Sequence, residues 1–210
     1  MRVRQHVNPL SQPFRQPLEL PDWRLIYTDP EQPLHLDIGC AKGRFLLTIA
    51  HQEPHWNFLG LEIRKPLVEQ ANHWRIEKGL TNLYFLMAQA NYHLSSILAS
   101  FPPAVLQRVT IQFPDPWFKR KQQKRRVVQP DLVQVIADYL QPGGEVFLQS
   151  DVFAVAVAMY GHFREQPQFQ TQGEFLSENP LGIPTERELA VLQKGLPVYR
   201  FLLKRRADAT

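Results

Sequence analysis

Apolar and polar residues change their spacing in a regular way from Leu34 onward. Runs of six or seven mostly apolar residues, typical of buried strands, alternate with stretches whose apolar residues lie three or four apart, as in amphipathic helices. The predicted strands are LHLDIG (34–39), NFLGLEI (57–63), NLYFLM (82–87), RVTIQF (108–113) and EVFLQSD (145–151). The predicted helices are RFLLTIAHQ (44–52), 66–79, 94–101 and 130–140.

This alternation predicts an α/β fold, because parallel strands need crossover connections and helices supply them. Segments 169–175 and 197–204 are predicted as a C-terminal antiparallel strand pair. We therefore expect a doubly wound, mostly parallel, seven-stranded sheet. A chain of 210 residues supports one core, and six prolines crowd its first 33 residues. The predicted organisation is a proline-rich arm (1–33) followed by one domain (34–210).

Composition narrows the class of protein. Apolar residues make up 44% and charged residues 21% of the chain, which is an ordinary globular mixture. We expect no membrane span, since no apolar run is long enough. The single cysteine, Cys40, cannot form an internal disulfide, and this favours a reducing, cytoplasmic location. The seven histidines show no ligand spacing, so we predict no metal.

Acidic residues follow the first two predicted strands, where ligands of doubly wound folds bind. Asp37 opens the glycine-containing loop DIGCAKG, and Glu62 comes 25 residues later. An acid beside the loop would repel a pyrophosphate and attract a cationic ammonium and sulfonium, so the pair favours S-adenosylmethionine over a dinucleotide. Glu62 would accept the ribose hydroxyls, and Gln89 with Ala90 would lie over the adenine. The alternative is that Asp37 caps a helix and Glu62 is solvated.

The fourth predicted strand leads into FPDPWFKRKQQKRR. Pro114 and Pro116 restrict the backbone on both sides of Asp115, and Trp117 with Phe118 could form a slot for a flat base. A rigid turn with core-packed aromatics is the alternative. Six cations fall within the next eight residues, which indicates a surface for a polyanion, although a solvated charge run has the same pattern. They are Lys119, Arg120, Lys121, Lys124, Arg125 and Arg126.

These segments, with LGLEIR, LQSD and NPLGIPTERE in the same order, resemble the bacterial tRNA (guanine-N7)-methyltransferase family, whose members are class I S-adenosylmethionine-dependent methyltransferases. The resemblance covers the chain from about Leu34 to Arg205. It implies a Rossmann-like sheet and transfer of a methyl group from S-adenosylmethionine to N7 of the variable-loop guanine at tRNA position 46.

The resemblance also implies roles for single residues. The residues implied for cofactor binding are Asp37, Gly39, Glu62, Arg64, Gln89 and Ala90. Asp115 is implied as the active-site acid. Independently of the resemblance, the charge of the six cations predicts that they contact RNA phosphates. The residues implied for contact with substrate or the cofactor's amino-acid end are Lys119, Asp151, Thr185 and Glu188. Helix capping explains the last three equally well, since Asp151 precedes an apolar helical run and TERE is a capping box.

Two departures and two alternatives remain at this point. Many methyltransferases have glycine where this chain has Ala41, and many bacterial relatives have aspartate at Gln89. A methyltransferase acting on an exocyclic base amine would also use an acid followed by proline and an aromatic residue. A non-catalytic tRNA-binding protein would keep the cations without needing the three acids together. The sequence leaves open whether the protein is a monomer or a homodimer.

Overall fold

A computed structural model describes residues 7–171 and 175–207. Within this part of the chain, strands and helices alternate as the hydrophobic pattern predicts. The strands are β1 (Leu34–Ile38), β2 (Asn57–Glu62), β3 (Leu83–Met87), β4 (Leu106–Gln112), β5 (Glu145–Ser150), β6 (Phe169–Thr171) and β7 (Tyr199–Arg205). The helices are α1 (Trp23–Ile26), α2 (Arg44–Gln52), α3 (Lys65–Glu77), α4 (Ala90–Ala99), α5 (Pro130–Tyr139), α6 (Phe153–Arg164) and α7 (Glu186–Leu192). Short 3-10 helices cover Gln12–Arg15 and Arg120–Arg125.

The strands form one seven-stranded sheet in the order β3-β2-β1-β4-β5-β7-β6. The first five strands in this order are parallel, whereas β7 runs antiparallel to both β5 and β6. The predicted doubly wound sheet and its antiparallel pair are therefore confirmed. The predicted strand 169–175 is shorter in the structure, and its residues 172–174 lie outside the described part of the chain.

Helices cover both faces of the sheet, which explains why every residue of β1 and β2 is buried. α2 and α3 pack on one face around Phe58 and Phe85. α4, α5 and α6 pack on the other face in a larger core that includes Val109 and Val146. This layering leaves only the two ends of the strands for ligands.

The chain before β1 packs into the same core. Trp23, in α1, is buried and stacks on Phe101 with 4.2 Å between ring centroids. The hydroxyl of buried Tyr27 donates to the Phe58 carbonyl at 3.0 Å. The boundary at residue 33 between arm and domain stays a prediction. Trp23 and Tyr27, which precede it, contact residues that follow it.

Two local features differ from the predicted pattern. The helix expected at 94–101 begins at Ala90, because the Gln89 side chain accepts a hydrogen bond from the Tyr92 N–H and caps it. Trp74 continues the apolar face of α3 that buries Leu67 and Ala71, but it is only half-buried at the edge of the core. None of the helices in the described ranges has the length and apolar character that crossing a membrane requires.

Candidate active site

Three acids lie at the carboxyl ends of three neighbouring strands. Asp37 is the second-last residue of β1, Glu62 is the last residue of β2, and Asp115 follows the end of β4. Because β1 pairs with β2 on one side and β4 on the other, the strand order reverses there. Ligands of open α/β sheets bind at this switch point. The structure thus brings together three residues that are distant in the sequence, since 78 positions separate Asp37 from Asp115.

The loop between β1 and α2 turns through two glycines in the left-handed region. Gly39 has φ of 85° and Gly43 has φ of 69°. A Cβ added to Gly43 would stand 2.3 Å from the Phe85 ring, so close packing also requires glycine there. A Cβ added to Gly39 would meet no atom within 4 Å. The space beside Gly39 is therefore open to a ligand that approaches the backbone.

Asp37 is buried, and its hydrogen bonds are concentrated on one oxygen. Thr110 Oγ1 donates to Asp37 Oδ1 at 2.6 Å, and Gln112 Nε2 makes a longer contact of 3.5 Å with the same oxygen. Within the described residues, Oδ2 accepts no hydrogen bond. Burial raises the pKa of Asp37 to about 6, against the opposing effect of these two donors. The helix-capping alternative for Asp37 is excluded, since Gly43 is the N-cap of α2.

Glu62 is 4% exposed and is held in one orientation by Arg64 and the glycine loop. Arg64 Nε donates to Oε1 at 3.0 Å and Nη2 to Oε2 at 2.9 Å, which makes a bidentate pair. The Ala41 N–H donates to Oε2 at 3.1 Å. Hydrogen bonding to Glu62, with a smaller effect of the Asp115 charge, raises the pKa of Arg64. Both acids, Glu62 and Asp115, therefore stabilise the charged form of Arg64.

Ala41 occupies a conformation that normally favours glycine, with φ of 50°. A left-handed conformation costs a residue with a side chain roughly 1–2 kcal/mol. The glycine common in other methyltransferases at this position is thereby explained by backbone geometry.

Gln89 and Ala90 lie at the start of α4, beyond the end of β3. The Gln89 side chain is buried, its Oε1 accepts from the Tyr92 N–H at 2.8 Å, and its backbone N–H donates to His93 Nδ1 at 3.2 Å. Its Nε2 lies 3.5 Å from the Pro9 carbonyl. The amide thus caps the helix, and a contact of Gln89 or Ala90 with adenine stays a prediction.

The segment that carries Asp115 is fixed on both sides. Pro114 and Pro116 flank the acid, and beyond them Phe113 and Trp117 have φ of 49° and 42°, uncommon for residues with bulky side chains. Such strain persists only when surrounding contacts impose it, and it concentrates at functional sites. The Asp115 carboxylate therefore has little freedom to move.

A cavity of about 350 Å³ adjoins Asp115. Its apolar wall comes from α6 and the segment before α5, and cationic and amide groups line its rim. The lining includes Pro114, Asp115, Lys124, Arg126, Val127, Val155, Met159 and His162. A flat base between apolar walls with one acid at its edge matches this mixture of groups. Phe118 does not line the cavity and is 71% exposed.

The basic segment, residues 119–126, divides into two groups. Arg125 stacks over the Trp117 ring at 5.0 Å, and Arg126 Nε donates to the Pro116 carbonyl at 2.9 Å. These two half-buried cations contact the residues that follow Asp115, and Arg126 also lines the cavity. The exposed cations are Lys119, Arg120, Lys121 and Lys124.

The C-terminal candidates lie around α7. Asp151 forms an ion pair with Arg187, and the N-cap of α6 is Val152, so the capping interpretation of Asp151 is wrong. Thr185 and Glu188 form both hydrogen bonds of the predicted capping box. Glu188 is 1% exposed and is held by Arg200, whose Nη2 donates to its Oε1 at 2.6 Å. Direct contact of these residues with a substrate stays a prediction.

Four polar residues of the site were not predicted from the sequence; all are buried except the half-buried Gln112. Thr110, Gln112 and Gln149 lie on β4 and β5 among apolar neighbours, and Arg200 lies on β7. A polar side chain inside an otherwise apolar strand is a detectable signal, because such a group needs a buried partner. The identity of that partner depends on strand register, which the sequence does not provide.

The arrangement fits S-adenosylmethionine. One oxygen of Asp37 faces no protein donor among the described residues, the space beside Gly39 is open, and Glu62 ends the neighbouring strand. A free carboxylate oxygen suits an ammonium group, and an acid at the end of β2 suits ribose hydroxyls. In residues 7–171 and 175–207, no His, Cys, Asp or Glu cluster has metal-binding geometry, and the absence of a metal stays a prediction.

Known proteins that are similar to this chain are methyltransferases. Residues 31–201 match the family model described as "Putative methyltransferase". The 16S rRNA methyltransferase KamB has the same fold, with a TM-score of 0.64 at 16% identity, over 92% of this chain and 98% of that one. The aminoglycoside resistance methyltransferase NpmB1 gives a TM-score of 0.58 at 18% identity, over 90% and 95% of the two chains.

Curated relatives are much closer in sequence. The tRNA (guanine-N(7)-)-methyltransferase of Synechococcus elongatus is 59% identical over 98% of this chain and 97% of its own length. The corresponding protein of Synechocystis sp. is 55% identical over 98% of both chains. Identity at this level across nearly the whole of each sequence shows that the chain belongs to the tRNA (guanine-N7)-methyltransferase family.

Proposed function

We propose that this protein transfers a methyl group from S-adenosylmethionine to N7 of the variable-loop guanine at tRNA position 46. The observation that carries the proposal is the convergence of Asp37, Glu62 and Asp115 at the switch point of the sheet. The full-length similarity to tRNA (guanine-N(7)-)-methyltransferases supports the choice of substrate.

Asp37 and Glu62 hold the two ends of the cofactor in this proposal. Asp37 Oδ2 accepts a hydrogen bond from the ammonium group, and Glu62 accepts the ribose hydroxyls after Arg64 adjusts its bidentate pairing. S-adenosylmethionine supplies a methyl group activated by a positively charged sulfur. Most of the acceleration comes from alignment, which contributes roughly 7–11 kcal/mol in well-oriented reactions.

Asp115 acts as an orienting and electrostatic group. Guanine N7 carries an exposed lone pair, so no proton has to leave before it is methylated. The Asp115 carboxylate accepts hydrogen bonds from the amide-like edge of the base and favours the positive charge that develops on the ring. Its strained and braced backbone keeps the acid in position without reorganisation.

The exposed cations of the basic segment bind the phosphates of tRNA beside the cavity. Such contacts position the RNA and do not depend on its sequence. Arg125 and Arg126 contribute indirectly, since they brace Trp117 and Pro116. The proposed substrate is a tRNA in the cytoplasm, and the enzyme acts as a monomer or a homodimer.

The direct test uses purified protein, an unmodified tRNA transcript and methyl-labelled S-adenosylmethionine. After digestion, we expect the label in 7-methylguanosine, and we expect it to disappear when the guanine at position 46 is replaced. Label in an N-methylated exocyclic amine would refute the assignment to N7. Binding of tRNA without any labelled product would favour the non-catalytic alternative.

A further inference from the structure

A continuous line of polar side chains, all buried except the half-buried Gln112, connects α7 with the cofactor edge. Arg200 on β7 pairs with Glu188 at 2.6 Å, and Gln149 Nε2 donates to Glu188 Oε2 at 3.1 Å. The same Gln149 nitrogen donates to Gln112 Oε1 at 2.7 Å. Gln112 Nε2 in turn makes the 3.5 Å contact with Asp37 Oδ1. Neighbouring strands β7, β5, β4 and β1 each contribute one member.

The two carboxylates fix the direction of both amides. A carboxylate only accepts hydrogen bonds, whereas an amide has a donor side and an acceptor side. If the Gln149 amide were reversed, its oxygen would face the oxygens of Glu188 and Gln112. If Gln112 were reversed, its oxygen would face Asp37. Each amide makes these contacts in only one orientation: Glu188 fixes Gln149, and Gln149 together with Asp37 fixes Gln112. In this orientation Gln149 Oε1 is buried without a hydrogen-bond partner among the described residues.

Glu188 also links this line to the loop before α7. Asn179 Nδ2 donates to Glu188 Oε2 at 2.9 Å, and the Thr185 N–H approaches the same oxygen at 3.4 Å. The loop 179–185 therefore bears on the same carboxylate that orients Gln149. This geometry explains how a segment far along the chain can affect the cofactor without touching it.

We propose that Gln112, Gln149 and Glu188 are positioning residues that saturate Asp37 Oδ1 and thereby direct Oδ2 toward the ammonium group of the cofactor. The proposal rests on the proposed function for the identity of that ligand. In this proposal Glu188 acts on the cofactor only through Gln149 and Gln112. This agrees with its burial and with the hydrogen bonds that both its carboxylate oxygens already accept within the protein.

The test substitutes Gln149→Met, which keeps the length of the side chain and removes its amide. Calorimetric titration then measures the binding of two ligands: S-adenosylhomocysteine, which has the ammonium group, and 5′-methylthioadenosine, which lacks the whole amino-acid end. We expect the affinity for S-adenosylhomocysteine to fall about tenfold, the scale of one charge-assisted hydrogen bond. The affinity for 5′-methylthioadenosine should stay within about twofold of wild type.

Three further variants separate positioning from general destabilisation. Gln112→Met should produce the same selective loss, and the double variant should lose no more than either single variant, because both interrupt one line. Val133→Ala removes buried volume in α5 away from the line and should change neither affinity. Gln112 is only half-buried, so its substitution keeps the test informative if Gln149→Met fails to fold.

The outcomes distinguish the two proposals. An equal loss for both ligands, or no loss for either, in the Gln149 and Gln112 variants would overturn the positioning role while wild-type binding upheld the cofactor assignment. If the wild-type protein bound neither ligand, the proposed function would fail and the positioning role with it.

Discussion

The buried charge of Asp37 has a cost that can be measured as stability. Burial raises its pKa from an ordinary 3.8 to about 6, so ionising this carboxyl in the folded protein at neutral pH costs about 3 kcal/mol. Asp37→Asn removes the charge and keeps Oδ1 as the acceptor for Thr110. We therefore expect the variant to be more stable than wild type by about 3 kcal/mol at pH 7.5.

The pH dependence of this gain has a definite sign. Between pH 3.8 and about 6 the folded state keeps a proton that the unfolded state has lost, so the contribution of Asp37 to stability falls as pH rises through this window. Above it the cost is complete. The advantage of the asparagine variant should therefore shrink to about 1 kcal/mol at pH 4.5.

Chemical denaturation followed by tryptophan fluorescence measures both free energies of unfolding. Asp138→Asn, at an exposed position of α5, controls for the loss of one negative charge and should change stability by less than about 0.5 kcal/mol. Equal stability of Asp37→Asn and wild type at pH 7.5 would refute this account of burial. So would a difference that is the same at both pH values. The variant should also bind S-adenosylhomocysteine weakly, since it lacks the carboxylate.

Three further predictions concern the base, the RNA and the glycine loop. Asp115→Asn should lower turnover about 100-fold or more with tRNA affinity nearly unchanged, and unchanged turnover would remove Asp115 from the mechanism. Replacing the four exposed cations of the basic segment with alanine should reduce the slope of log K against log salt by about 3 in filter-binding titrations; an unaltered slope would place the RNA elsewhere. Gly43→Ala should destabilise the fold by at least about 3 kcal/mol, because the added Cβ would clash with Phe85. The control Gly79→Ala, with open space around the added Cβ, should cost only about 1–2 kcal/mol. Thermal or chemical unfolding measures both values.

The sequence predicted the parts of the fold that depend on local pattern. The apolar runs of β1 to β5 and the order of acids along the chain follow directly from residue spacing. Pro114 and Pro116 likewise predicted a fixed Asp115, since proline acts on its immediate neighbours. Those features needed no knowledge of which strands are adjacent.

Contacts between distant strands were beyond sequence reasoning. The insertion of β7 between β5 and β6 places Arg200 beside Glu188. The register of the parallel pair β4 and β5 sets Gln112 opposite Gln149, residues 37 positions apart. The division of the basic segment into exposed and half-buried cations could not be predicted either, because a run of charges does not show which side chains pack against the protein. Arg125 and Arg126 instead contact Trp117 and the Pro116 carbonyl, which lie up to ten positions earlier in the chain.

Unfavourable local features collect at the ligand edge of the sheet. Of the four described non-glycine residues with positive φ, Ala41, Phe113 and Trp117 lie there, whereas Ala104 precedes β4 at the other end of the strands. Asp37 is an acid buried against its preference for water. The surrounding fold has to supply the stability that these features remove. In the proposed site, an ammonium group beside Oδ2 would favour the ionised carboxylate of Asp37 and so offset part of this cost. The burial that weakens the free protein would then strengthen its attraction for a cationic cofactor.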